Sequence, residues 1–204
     1  MIEKPVNFYE MYRSLKIYFA TTNRNKADEA GKILKDFDIE LKMLPGEKRE
    51  IQSERLEEIA GFSALEIAKT RNVHVITEDS GLFVKALNGF PGPYSAYIFK
   101  TIGCRGILDL MEDRIDRGAE FQAVVAYCEP SREPMYFLGV VKGNISREIR
   151  GDSGFGFDPV FVPLESDGRT FAQMILNEKN MYSHRARAFR RFGEWFQEFQ
   201  RSLK

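Results

Sequence analysis

Three short apolar runs, residues 17–20, 39–44 and 73–76, alternate with two stretches of helical periodicity. In the first stretch Ala27, Ala30, Ile33, Leu34 and Phe37 recur at helical spacing. In the second, residues 54–71, one face carries Leu56, Ile59, Ala60, Ala64, Ile67 and Ala68. Strands and helices in alternation bury their apolar faces by packing helices on a sheet, which makes this an α/β chain. Residues 121–128 and 135–142 read as two further strands joined by a polar, proline-bounded turn. That hairpin makes the sheet mixed rather than purely parallel, and residues 160–163 resume it. Residues 98–111 read largely as helix, frayed at Gly103 and Gly106. Residues 183–203 read as one long helix with Phe189, Phe192, Phe196, Phe199 and Leu203 on its apolar face, a stripe for core or dimer packing.

With 204 residues the chain suits one large domain or two closely packed lobes. Lys plus Arg and Asp plus Glu both total 30, so there is no formal net charge and any anion site must be local. The balance, and the lack of a basic aromatic stripe, speak against nucleic-acid binding. The N-terminus does not read as a signal peptide, and no window reaches the roughly 18 apolar residues of a membrane span. Cys104 and Cys128 form neither a disulfide framework nor a zinc pattern, which fits a reducing cytoplasm.

Chemistry-bearing residues collect in a few places. Thr77-Glu78-Asp79-Ser80-Gly81 follows the third apolar run and reads as a loop at a strand end. Adjacent carboxylates there suit Mg²⁺, which takes one or two carboxylates and leaves its other positions to water and phosphate. Asp, Ser and Gly are also turn formers, and the stretch alone admits either reading. Thr21-Thr22-Asn23-Arg24-Asn25-Lys26 joins the first strand to a helix start, where free N–H groups, hydroxyls and a lysine can meet an anion or simply cap a helix. A glycine- and proline-rich loop with aromatics spans residues 87–95. Residues 151–159 are glycine-rich, with Phe155 and Phe157 offering faces for a base, Gly156 between them and Asp158 as an acceptor. Lys179, His184 and Arg185 gather at the N-terminal end of the last helix. Two cationic helix starts, a carboxylate pair and an aromatic glycine loop together describe a site for a nucleoside polyphosphate with Mg²⁺. Neither a Walker-type loop nor a dinucleotide glycine fingerprint is present.

Five motifs then occur in order: Thr-Thr-Asn-x-x-Lys, Glu-Asp-Ser-Gly-Leu-x-Val, Gly-x-Pro-Gly-x-Tyr-Ser, Gly-Phe-Gly-Phe-Asp-Pro-x-Phe and Glu-Lys-x-x-x-Ser-His-Arg. In this the chain, from about residue 16 to its end, resembles the inosine/xanthosine triphosphate pyrophosphatase family. The resemblance implies an elongated, two-lobed α/β fold with a long mixed sheet and an active cleft between the lobes. It implies a Mg²⁺-dependent homodimer that splits aberrant purine nucleoside triphosphates into the monophosphate and pyrophosphate. By position Asp79 matches the catalytic acid that helps hold the metal. Glu50 matches the second metal carboxylate, with Glu47 as fallback. Thr21, Thr22, Asn23 and Lys26 match the triphosphate loop. Ser80, Phe155, Gly156, Phe157, Asp158, Lys179, His184 and Arg185 match the other nucleotide contacts. Two features depart from the family: Thr22 stands where glycine is usual, and residues 1–15 form an N-terminal extension outside the pattern. Selectivity is expected at the purine 6-keto oxygen, read by His184, Arg185 and backbone near residues 155–158. The rival readings are a Maf-like pyrophosphatase of other base specificity and a non-catalytic nucleotide sensor.

Overall fold

A computed structural model describes residues 16–46 and 48–202. The N-terminal extension, Glu47 and Leu203 lie outside the described residues. The first three apolar runs form β1 (Ile17–Phe19), β2 (Leu41–Met43) and β3 (His74–Val84). β1 lies between the other two and parallel to both. The crossovers are α1 (Arg24–Leu34), extended by a 3₁₀ turn, and α2 (Leu56–Arg71). Asn72 closes α2 in the left-handed conformation, φ 52°, which asparagine tolerates better than most residues. The hairpin is β5 (Gly118–Cys128) and β6 (Met135–Ile145), and β7 (Phe161–Pro163) adds antiparallel to β6. With β4 (Pro91–Gly92) on β3, the described residues form a seven-stranded mixed sheet ordered β2-β1-β3-β5-β6-β7. The remaining helices are α3 (Ser95–Thr101), α4 (Gly103–Leu110), α5 (Leu176–Tyr182) and α6 (His184–Ser202).

Three expectations are corrected. Residues 77–81 are not a loop at a strand end but the middle of the 11-residue β3. Thr77 to Gly81 pair one for one with Ala126 to Gln122 of β5, and this ladder overrides the turn preferences of Asp, Ser and Gly. The helix expected over 98–111 is two helices, because Gly103, the first residue of α4, takes φ +62°. Lys179 does not sit at the start of the last long helix. It belongs to α5, and Ser183 interrupts the two with extended backbone.

The open edge of β3 positions the site. The strand pairs with β1 only as far as Ile76 and with β4 only from Leu82. Between them that edge has no strand neighbour, so groups on residues 77–81 face a gap in the sheet. Side chains fill part of it: the Lys48 ammonium donates to the Glu78 carbonyl at 3.3 Å, and the Leu82 N–H donates to Ser95 Oγ at 2.8 Å.

The core is divided, as two lobes require. On one face of the sheet Phe189, Phe192 and Phe196 of α6 pack with α1 against Ile17, Phe19 and Ile76, so the C-terminal stripe is core packing. On the other face α2 sets Leu56, Ala60, Ala64 and Ala68 against Val75, Val124 and Ala126. A separate cluster around Leu82, Phe121, Val141, Phe161 and Phe171 builds the second lobe. β3, β5 and β6 run through both.

Helix α6 approaches the sheet closely at Gly139 of β6. A Cβ there would lie 2.0 Å from the His184 carbonyl and 2.5 Å from the Ala188 nitrogen. Gly139→Ala should therefore lift the start of α6 and cost about 2 kcal/mol or more in urea unfolding. A loss under 0.5 kcal/mol would show that the contact has slack.

Candidate active site

Asn23, whose loop joins β1 to α1, caps the helix: its Oδ1 accepts from the Lys26 N–H at 3.2 Å, and its own N–H donates to Thr21 Oγ1 at 3.1 Å. The cap points the Lys26 side chain across to β3, where Nζ stands 2.6 Å from Glu78 Oε2. Alternation along β3 sends Glu78 and Ser80 to the α6 face and Asp79 to the α2 face. Ser183 begins α6 by accepting from the Ala186 N–H at 3.1 Å, which fixes His184 and Arg185 beneath the sheet.

A chain of alternating charges runs through this region. From Lys26 it passes to Glu78, then to Arg185, Glu29, Lys179 and Asp158. Arg185 Nη2 is 2.9 Å from Glu78 Oε1, and Arg185 Nη1 is 2.6 Å from Glu29 Oε2. Lys179 Nζ is 2.8 Å from Glu29 Oε1 and 2.7 Å from Asp158 Oδ2. Glu29, Glu78, Asp158, Lys179 and Arg185 are all buried, and three anions balance three cations. Buried charge is tolerable only when paired in this way. Burial alone would raise the Glu78 carboxyl, but Arg185 and Lys26 outweigh it and hold it well below the usual range. Glu29 is also lowered: Arg185 and Lys179 overcome its desolvation.

Asp79 behaves differently. Burial raises its carboxyl to about 6, Glu78 and Glu50 add to the rise, and Lys26 and Lys48 only partly oppose it. Its Oδ2 is buried without a hydrogen-bond partner among the described residues. Glu50 shares a lining with Asp79 and pairs with Lys48 at 2.8 Å. Among the described residues no group of three His, Cys, Asp or Glu side chains could hold a metal by itself. Two carboxylates, one with an unpartnered buried oxygen, nevertheless fit a cation that draws its other ligands from water and phosphate.

These groups surround a cavity of about 400 Å³ between the lobes. Asn23, Lys26, Glu50 and Asp79 line one part; Phe99, Phe121, Phe155, Phe157, His184 and Arg185 line another. His184 is stacked on Phe121, centroids 4.6 Å apart, and its Nδ1 has no partner among the described residues. Burial, with Arg185 and Lys179 nearby, lowers its pKa well below that of a free imidazole, so the ring is neutral and can offer one donor. Phe155 covers the buried cations, with Lys179 Nζ 4.7 Å and the Arg185 guanidinium 5.3 Å from its ring centroid. The Phe155 N–H donates to Asp158 Oδ2 at 2.8 Å, so Lys179 holds the glycine loop through Asp158. One part of the cavity offers a cation and carboxylates; the other offers flat rings and buried donors.

The residues singled out in the sequence do come together, with qualifications. Ser80, Gly156 and Asp158 line the cavity with those above. Thr21 and Thr22 stand beside it rather than in its lining. Described non-glycine residues with positive φ are Asp38, Asn72, Asn88 and Ser131, so Thr22 occupies a backbone conformation that does not require the family's glycine. Lys179 lines an adjoining cavity on the other side of Phe155.

The model of the Ham1 family matches residues 17–195. The chain belongs to the Ham1 family. It is 50% identical over 182 residues, 89% of this chain and 96% of the relative, to the dITP/XTP pyrophosphatase of Methanopyrus kandleri. It is 49% identical over 187 residues, 92% of this chain and 96% of the relative, to the dITP/XTP pyrophosphatase of Saccharolobus solfataricus. A solved Ham1 protein from Coxiella burnetii superposes with a TM-score of 0.81 at 32% identity, covering 90% of this chain and 99% of that one. The Ham1 protein of Staphylococcus aureus gives 0.75 at 30% identity, covering 93% of this chain and 100% of that one.

Several participants in this Ham1-family site, Phe99 of α3 among them, escaped the sequence reading. Glu29 sits on a helix where a glutamate reads as solvated, and its partner Lys179 lies 150 residues away. Lys48 lies in a polar loop with no periodicity to place it. Phe121 reads as an ordinary strand residue. Only its alternation along β5 could have hinted at the face shared with His184.

Proposed function

We propose that this chain hydrolyses non-standard purine nucleoside triphosphates, ITP, dITP and XTP, to the monophosphate and pyrophosphate. The observation that carries the reading is the convergence of Lys26, Asp79 and Arg185 on one cavity, in a chain half identical to dITP/XTP pyrophosphatases. In this reading the triphosphate lies along Asn23 and Lys26, with Thr21 and Thr22 beside it. The base enters between Phe155 and Phe157, near Ser80, Gly156 and Asp158. Asp79 and Glu50 would hold Mg²⁺, which when bound neutralises phosphate charge and acidifies a water. Asp79 orients that water in line with the leaving pyrophosphate, and Lys26 stabilises the charge developing on it. His184 and Arg185 donate toward the 6-keto oxygen. Adenine carries an amino group there, leaves those donors unpaired, and can be rejected by up to ~10⁴-fold.

The same reading includes a cytoplasmic homodimer. Two free, buried cysteines suit a reducing compartment. Among the described residues no helix is long and apolar enough to cross a membrane. Sedimentation of the purified chain tests the dimer; a monomer at micromolar concentration removes it.

The direct experiment is pyrophosphate release from ITP, dITP, XTP, GTP and ATP, each with and without Mg²⁺. The reading requires fast, metal-dependent release from the first three and slow release from ATP. Equal rates with ATP sink the keto-reading account. Preference for pyrimidine or methylated nucleotides would favour Maf-like specificity, and binding without release would make the chain a sensor.

Asp79 also sets a pH dependence. A carboxyl raised to about 6 must lose its proton before it can hold a cation. Apparent Mg²⁺ affinity, followed by thermal shift, should weaken up to about tenfold per pH unit below 6 and level off above it. A flat affinity from pH 5 to 8 would show that Asp79 is not a ligand.

A further inference from the structure

The middle of the charge chain is Glu29, which is absent from the lining of the cavity that holds Asp79 and Arg185 and instead lines, with Lys179, the adjoining one behind Phe155. It is 3% exposed, and its two oxygens divide between two cations: Oε1 to Lys179 and Oε2 to Arg185. Each cation carries a different piece of the base-proximal half. Arg185 donates to Ser80 Oγ at 3.0 Å as well as to Glu78. Lys179 holds Asp158, and Asp158 holds the Phe155 N–H. Both cations also lie beneath the Phe155 ring. Glu29 therefore fixes the distance between a donor on α6 and the aromatic loop at residues 153–158.

We propose that Glu29 is a positioning residue for base discrimination, acting through Arg185 and Lys179 and touching no substrate atom. This rests on the nucleotide reading above and adds to it a residue that the motifs do not mark. Discrimination by hydrogen bonds depends on donors being held where the correct base needs them. A donor free to shift by an ångström can also serve the wrong base. Removing the negative charge from Glu29 leaves Arg185 with Glu78 and Lys179 with Asp158. Each cation keeps a carboxylate, so the chain should still fold, at reduced stability, while the coupling between the two is lost.

The test is Glu29→Gln, assayed with ITP and ATP under saturating Mg²⁺, with Glu29→Asp alongside. The expected result is a rise of about tenfold or more in KM for ITP. The ITP-to-ATP ratio of kcat/KM should fall by a similar factor, and Glu29→Asp should restore part of it. A purely structural role predicts the opposite pattern: kcat falls for both substrates in proportion, with KM and the ratio unchanged. That outcome overturns the proposal. Should Glu29→Gln not fold, Glu29→Gln with Lys179→Met removes one charge of each sign. An unchanged ratio in this neutral pair overturns the proposal equally. Failure of the wild-type chain to turn over ITP would instead count against the nucleotide reading itself.

Discussion

Replacing Asp79 with asparagine is expected to cut turnover of ITP by at least ~10²-fold while making the metal-free protein more stable. The first effect follows from the role proposed for Asp79, which is to aim the attacking water. The second follows from the sign of the pKa shift. A carboxyl at about 6 in the folded state and near 3.8 unfolded binds its proton more tightly when folded. Stability is then lost as pH rises from about 4 through 6, and above 6 the buried charge is carried in full. Removing that charge should return on the order of 2–3 kcal/mol at pH 7.5, a rise of roughly 4–12 °C in Tm. Saturating Mg²⁺ should reverse the ranking, because the wild type gains binding free energy that the variant cannot. Calorimetry with and without Mg²⁺, beside a pyrophosphate assay, reads all three. A variant with near-normal kinetics removes Asp79 from catalysis, and one with a lowered Tm removes the account of its strain.

The second large effect is expected at Arg185. Arg185→Met keeps most of the volume but leaves Glu29 and Glu78 each short of a cation in a buried site. Glu78 keeps Lys26 and Glu29 keeps Lys179, but three buried anions then face two cations, and an uncompensated buried charge costs about 3–5 kcal/mol. The exposed pair Arg105–Asp109, 81% and 59% accessible, is the internal control: Arg105→Gln should change stability by less than about 1 kcal/mol. The pH dependence carries a sign as well. In the wild type Glu29 and Glu78 are lowered from 4.5, so their stabilisation is present above that value and is lost as pH falls through the folded-state values. In Arg185→Met the same carboxyls gain by being protonated, so the deficit against wild type should shrink below about pH 4. Urea unfolding at pH 3.5 and pH 7 measures this. A deficit independent of pH would mean that the loss is one of packing rather than charge.

The positions of these residues were unequally legible. Lys26 could be read as a site cation because local chemistry fixes it: an asparagine cap and a helix start place it within one turn. The Glu-Asp pair could be read as chemistry, but its setting could not. Turn-forming residues suggested a loop, whereas pairing with β5 draws them into a strand, and sheet pairing is a tertiary choice. The gap opposite residues 77–81 depends on where β1 stops and β4 begins, and neither boundary is written in residues 77–81 themselves. Glu29 was invisible for a related reason. A glutamate on an amphipathic helix is read as solvated until a partner distant in sequence buries it.

By itself the sequence determined the alternation of strands and helices, the hairpin, the apolar face of the last helix and the ordered motifs that place the chain in its family. All of these rest on periodicity, turn chemistry or residue order, which act over a few residues. Only the tertiary structure decided which charges are buried and with whom, and which carboxylate is left strained beside the gap in the sheet. Those outcomes depend on desolvation and on contacts between distant segments. The same side chain is a solvated surface charge or a buried network member according to what folds over it.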